Sequence, residues 1–78
     1  MLQIESDIKA DAIYIQLMEE PIGYTKELDD NRLIDYNMGS PVGKDLLAVS
    51  EGVKLNGLPE VKTVERILKG LGVKVYTE

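Results

Sequence analysis

Few side chains in this sequence could carry chemistry. Neither cysteine nor histidine occurs among its 78 residues. That removes a thiolate nucleophile, a Ser-His-Asp triad, a zinc-bound hydroxide on imidazoles and any side chain that titrates near neutrality unperturbed. Carboxylates, lysines, tyrosines and a few hydroxyls remain. Asp11 and Asp35, with Asp45 as a third, are the carboxylates that a Mg²⁺ site or a general acid/base couple would use, since either needs two oxygens brought close. Each has a plainer role as well. Asp11 follows a turn and can cap it by accepting backbone hydrogen bonds, and Asp35 can face solvent beside a cation on the opposite strand. The plainer roles weigh more, because carboxylate chemistry needs a cleft that so small a domain rarely encloses. The glycines supply no phosphate loop: Gly43-Lys44 has no hydroxyl residue after it, and Gly70 and Gly72 end a helix rather than start one. No metal or cofactor is expected.

The elements that position these residues read in order. Leu2 to Ser6 alternates weakly as an opening strand, followed by a turn over Asp7 to Ala10. From Ala12 to Met18 the alternation is clean, with Ile13, Ile15 and Leu17 on one side and Tyr14, Gln16 and Met18 on the other. Glu19-Glu20-Pro21 ends that strand, since proline cannot donate to a ladder. Ile22 to Leu28 is a third strand, Asp29-Asp30-Asn31 a turn, and Arg32 to Tyr36 the returning strand. After a turn over 37–41, Val42 to Val49 reads as a fifth strand, bulged where Leu46 and Leu47 adjoin. Residues 1–50 are thus a β-meander, and 51–58 a loop marked by Gly52, Asn56 and Gly57. Val61, Val64, Ile67, Leu68 and Leu71 recur at helical spacing, which predicts a helix over 59–71 with Pro59 in its first turn and Gly72 as its left-handed cap. A strand over 72–77 closes the chain, placed to return parallel to a neighbour.

The expected fold class is therefore α+β in a single domain: an antiparallel sheet of about five strands, one helix on one face, and a short final strand. The uncovered face is then expected to carry Tyr14, Met18, Ile34 and Tyr36. That is more apolar area than a small monomer usually leaves wet, so those four form the predicted interaction face. Ligand stacking on the two tyrosines competes with plain cross-strand packing, which is the commoner use of such pairs. A chain of this length buries only about 60% of its unfolded surface. With no disulfide or metal to help, a homodimer or a small protein partner is the expected additional support.

Fourteen acidic residues against nine basic ones give a net charge of −5. That balance argues against phosphate-backbone binding. Lys62, Arg66 and Lys69 would share a helix face, but mixed charge on an exposed helix is ordinary. The sequence begins without a basic, apolar targeting pattern, and no window reaches the 18 or so apolar residues of a membrane span. A cytoplasmic protein with no membrane partner is the expectation.

Four segments together resemble the family of small bacterial and archaeal proteins called domain of unknown function 2283. Asp11 to Leu17 follows its Asp-Ala-hydrophobic-Tyr-hydrophobic-x-Leu pattern, and Asp29 to Tyr36 its acidic turn with hydrophobic-hydrophobic-Asp-Tyr. Val42-Gly43 with Leu46 or Leu47 follows its Val-Gly-x-x-x-Leu strand, and Gly52 to Pro59 its Gly-Val-x-Leu-x-Gly-Leu-Pro linker. The departure is Lys44-Asp45, where the family tends to carry an apolar residue and Glu. The resemblance implies no reaction. The leading expectation is a non-catalytic protein-interaction module, homodimeric or antitoxin-like toward a small basic protein, where complementary charge would speed association. The alternative is a carboxylate-based Mg-dependent enzyme or metal-binding protein using Asp11, Asp35 and Asp45.

Overall fold

The structure is a computed structural model and describes residues 3–76. Its elements are strands β1 (Gln3–Asp7), β2 (Ala12–Gln16), β3 (Tyr24–Asp29), β4 (Arg32–Asn37) and β5 (Ser40–Leu47), a 3-10 turn (Val49–Glu51), β6 (Val53–Lys54), helix α1 (Val61–Gly70) and β7 (Val75–Tyr76). The expected start at Leu2 and end at Thr77 lie outside the described residues. The α+β class and the five-stranded antiparallel sheet agree with the sequence pattern.

The strand order departs from a consecutive meander. It runs β1-β2-β5-β4-β3, so β2 pairs with β5 and the chain crosses to the far edge before starting β3. Strands β2 to β5 therefore make a Greek key. The cause is burial. Val42, Lys44 and Leu46 make β5 the most buried strand, and only a central position gives it a covered neighbour on each side. The segment from Leu17 to Gly23, broken by Pro21, is no tight hairpin and carries the crossing.

The turns follow local chemistry. Met38 and Gly39 both take positive φ, 52° and 85°, the signature of a two-residue type I′ hairpin between Asn37 and Ser40. Asp7 accepts a hydrogen bond from the Ala10 amide at 3.1 Å, and Asp29 one from the Asn31 amide at 3.0 Å. The bulge lies at Val42 rather than at Leu46-Leu47: β4 steps from Asp35 to Tyr36 while β5 steps from Gly43 to Pro41. Leu46 and Leu47 adjoin without a bulge because the sheet takes apolar contact on both sides. Leu46 is buried in the core, and Leu47 is half-buried on the opposite face.

Residues 53–76 form a β-α-β lobe over one face of the sheet, with β6 and β7 paired in parallel as a separate two-stranded sheet. Leu55, Leu58, Val64 and Leu68 from this lobe pack with Ile13, Ile15, Ile34 and Leu46 from the sheet. Helix α1 begins at Val61, so Pro59 precedes it, and Glu60 in the left-handed region (φ 55°) stands at its N-cap. Only Val64 and Leu68 of the predicted stripe are fully buried, while Val61 and Leu71 lie at its exposed ends. Gly72 has φ 81°, the left-handed geometry expected after the helix.

Arg32 ties the lobe to the sheet. Its guanidinium donates to the Lys54 carbonyl at 3.1 Å and to the Asn56 carbonyl, while Asp29 holds it by a 2.9 Å ion pair and a 3.0 Å hydrogen bond from Nε. That contact holds the Asp29 carboxyl below its usual range, chiefly through the hydrogen bond from Arg32.

Candidate functional site

Side chains alternate along each strand, so register decides which residues share a face. The four residues of the predicted interaction face do not stay together. Ile34 is opposite Lys44 and fully buried in the core, and Tyr36 packs against that core on the covered side. Tyr36 also stacks on Tyr24, with ring centroids 5.2 Å apart and planes 13° apart. Met18 lies just beyond β2 and is partly exposed. Tyr14 alone of the four belongs to the uncovered face. The phase of β4 separates them: position 35, not 34 or 36, shares the face of Tyr14.

Two transverse rows cross the uncovered face. One runs Glu5, Tyr14, Asp45, Leu33, Glu27 across β1, β2, β5, β4 and β3. The next runs Gln3, Gln16, Gly43, Asp35, Thr25 in the same order. Neither row contains a lysine or arginine. Lys9 in the β1-β2 turn lines an open depression together with Glu5, Asp7, Tyr14 and Asp45.

The second row holds the geometry that fixes Tyr14. Gly43 leaves room for the tyrosine ring to lie flat across β5. A Cβ there would meet the Tyr14 hydroxyl at 2.2 Å and its Cζ at 2.8 Å. The hydroxyl so placed donates to Asp35 Oδ2 at 2.9 Å, and the Thr25 hydroxyl donates to Asp35 Oδ1 at 2.6 Å. One carboxylate thereby ties β2, β4 and β3 together across β5. Burial first, then the hydrogen bond to Asp35 and the charges of Asp35, Asp45 and Glu5, push the Tyr14 phenol up to about 12. Asp45, beside this group, has its carboxyl raised by burial first and by the charge of Asp35 second.

The predicted carboxylate cluster divides in the same way. Asp35 and Asp45 share the uncovered face. Asp11 lies elsewhere, in the turn before β2 with φ 54°, and accepts from the Ser50 amide at 3.0 Å and the Ser50 hydroxyl at 2.6 Å. Its carboxylate thus ties the β1-β2 turn to the 3-10 turn, and does not cap the 7–10 turn it follows, where Asp7 accepts the Ala10 amide instead. Among the described residues, no group of three or more acidic side chains is arranged to hold a metal ion.

Glu5, Glu27 and Leu33, which sequence reasoning did not single out, complete the first row. They come from three different strands, and only the crossing of the chain from β2 to β3 aligns them. Lys44 was also missed as a core residue, although its spacing from Leu46 carried the signal. A scan against protein-family models, a search of curated proteins and a search of solved structures each returned no match. The likeness to the domain of unknown function 2283 family accordingly rests on the four quoted segments alone.

Proposed function

We propose that this protein is a non-catalytic interaction module whose uncovered sheet face receives a positively charged segment of another protein. The observation that carries the reading is the row Glu5, Tyr14, Asp45, Leu33, Glu27: three carboxylates interleaved with an aromatic and an aliphatic side chain, and no cation in the row. A lysine- or arginine-rich strand or helix laid across it would set cations against the carboxylates and its alkyl stems against Tyr14 and Leu33. Asp45, already raised by burial and by its neighbour Asp35, would gain the opposite charge it lacks. Two copies of this face would set like charges against each other, so the partner is a different chain.

The test is a titration of a fluorescent Lys/Arg-rich peptide, read by anisotropy at low salt. Three proteins are compared: the wild type, the face variant Glu5→Gln/Glu27→Gln/Asp45→Asn, and a control of equal net charge, Glu19→Gln/Glu20→Gln/Asp30→Asn, altered in the exposed loop and turn. The face variant is expected to lose binding by about tenfold or more while the control stays near wild type, each lost charge pair being worth several tenths to 1 kcal/mol. Equal losses in both variants would reduce the interaction to bulk charge and remove the proposal.

A homodimer has a separate surface in its favour. Ile22 and Tyr24 are 55% and 54% exposed at the β3 edge, beside the Tyr24–Tyr36 stack. Light scattering across a concentration series, repeated on Ile22→Glu, tests it: a dimer abolished by the substitution supports this surface, and a monomer at every concentration removes it.

A further inference from the structure

Among the described residues, one buried side-chain polar atom has no hydrogen-bond partner: the ammonium nitrogen of Lys44. The residue is 0% exposed. It sits at the centre of the core face, opposite Ile15 on β2 and Ile34 on β4, two positions from Leu46 along β5. An ammonium kept from water without a counter-ion is among the least favourable arrangements a core can hold. It is relieved if the amine loses its proton or if water reaches it.

Two layers enclose the amine. On the sheet side Lys44 is fenced by the hydrogen-bonded ladders of β5 with β2 and with β4. On the other side it is covered by the β6-α1-β7 lobe, which is held mainly by side-chain packing and by the two Arg32 bonds to the Lys54 and Asn56 carbonyls. We infer that residues 53–76 are a cover whose docking on the sheet is governed by the charge of Lys44, tight over the neutral amine and loosened by the ammonium.

The charged groups on the surrounding elements are few. Lys26 and Arg32 share the face of Lys44 on β3 and β4, and Arg32 is committed to Asp29 and the lobe carbonyls. Helix α1 presents Val64 and Leu68 to the core, while its Glu65 and Lys69 pair with each other at 3.0 Å. β1 and β2 contribute Ile4, Ser6, Ile13 and Ile15 on this side. Glu60, at the start of α1, is the acid whose field reaches Lys44. Burial pulls the Lys44 amine from 10.5 down to about 8, and Glu60 opposes that fall. With the cover open, the amine keeps its proton up to about 10.5; with the cover closed, it releases it near 8. Closure is therefore weakest below pH 8 and strengthens as pH rises from 8 toward 10.5.

Residue-resolved amide hydrogen exchange at pH 7 tests this on the full chain. The reporters for the cover are the Val53 and Leu55 amides, bonded to the Lys74 and Tyr76 carbonyls, and those for the sheet are the β4–β5 ladder amides. In the wild type Val53 and Leu55 should be at least about tenfold less protected than the β4–β5 ladder, and in Lys44→Met their exchange should slow by about tenfold or more, with a ceiling of about 300-fold set by the fall from 10.5 to 8. In Glu60→Gln the same two amides should exchange faster than in the wild type. Equal protection of cover and sheet in the wild type would mean that the cover opens only when the whole fold does and would overturn the inference. No change at Val53 and Leu55 in Lys44→Met would overturn it as well.

Discussion

Gly43→Ala is a one-carbon change whose effect can be worked from the geometry. Gly43 has an ordinary backbone conformation, since it is absent from the residues with positive φ, so alanine meets no dihedral penalty there. In a strand that change alone is neutral or stabilising by about 0.4–1 kcal/mol through the unfolded chain. Here the new methyl would stand 2.2 Å from the Tyr14 hydroxyl, 2.8 Å from Cζ and 3.3 Å from Cε1. The ring must move by more than an ångström to reach ordinary contact, and that displacement breaks its 2.9 Å bond to Asp35. A hydrogen bond to a charged group contributes about 1.5–3 kcal/mol, and lifting part of the ring off β5 adds to the loss. The net expectation is a destabilisation of about 2 kcal/mol, or a melting temperature lower by about 8–16 °C for a domain of this size. Urea unfolding of Gly43→Ala, Tyr14→Ala and the double variant closes the cycle. With Tyr14 reduced to alanine, Gly43→Ala should be neutral or stabilising, giving a coupling of about 2 kcal/mol. A wild-type background in which Gly43→Ala is neutral or stabilising would refute the idea that the glycine exists to seat Tyr14.

Other outcomes follow from the same contacts. Tyr14→Phe keeps the ring and removes one donor to Asp35, and should lower stability by about 1.5–3 kcal/mol in urea unfolding. Stability against pH should have an unusual alkaline maximum: it rises from pH 8 as the Lys44 amine, at about 8 when folded and 10.5 when unfolded, is neutralised in the folded state first. It then falls above pH 10, where the unfolded tyrosine ionises while folded Tyr14 holds its proton to about 12. Lys44→Met should be more stable at pH 7 by about 3 kcal/mol at most and should show no alkaline rise; a thermal-melt series over pH 6–11 reads both. Arg32→Ala should cost about 3 kcal/mol or more by leaving the Lys54 and Asn56 carbonyls without their donor, and its loss should appear first as faster exchange at Leu55.

The legible part of this fold was what local pattern dictates. Alternation places Ile13 and Ile15 in a half-buried strand and helical spacing finds Val64 and Leu68, whereas the cap of the 7–10 turn is Asp7 and the Asp11 carboxylate reaches Ser50 instead. The less legible part depended on strand order and phase. Ile34 and Tyr36 were grouped with Tyr14, yet β4 aligns Asp35 with that face, and no spacing within the chain fixes the phase of β4 relative to β2. The adjoining leucines suggested a bulge because one buried face was assumed; with both faces in apolar contact, Leu46 and Leu47 serve different layers. Lys44 is the sharpest case. Its separation of two from Leu46 puts it on the core side, but a lysine there contradicts the polar-out rule.

A partner should meet the uncovered face and not merely the acidic surface at large. Amide chemical-shift mapping during titration with the Lys/Arg-rich peptide addresses it directly. Perturbations are expected to centre on Tyr14, Leu33 and Asp45, with Glu5 and Glu27 at the two ends of the row. Perturbations centred instead on α1, or on the loop at Glu19 and Glu20, would contradict it.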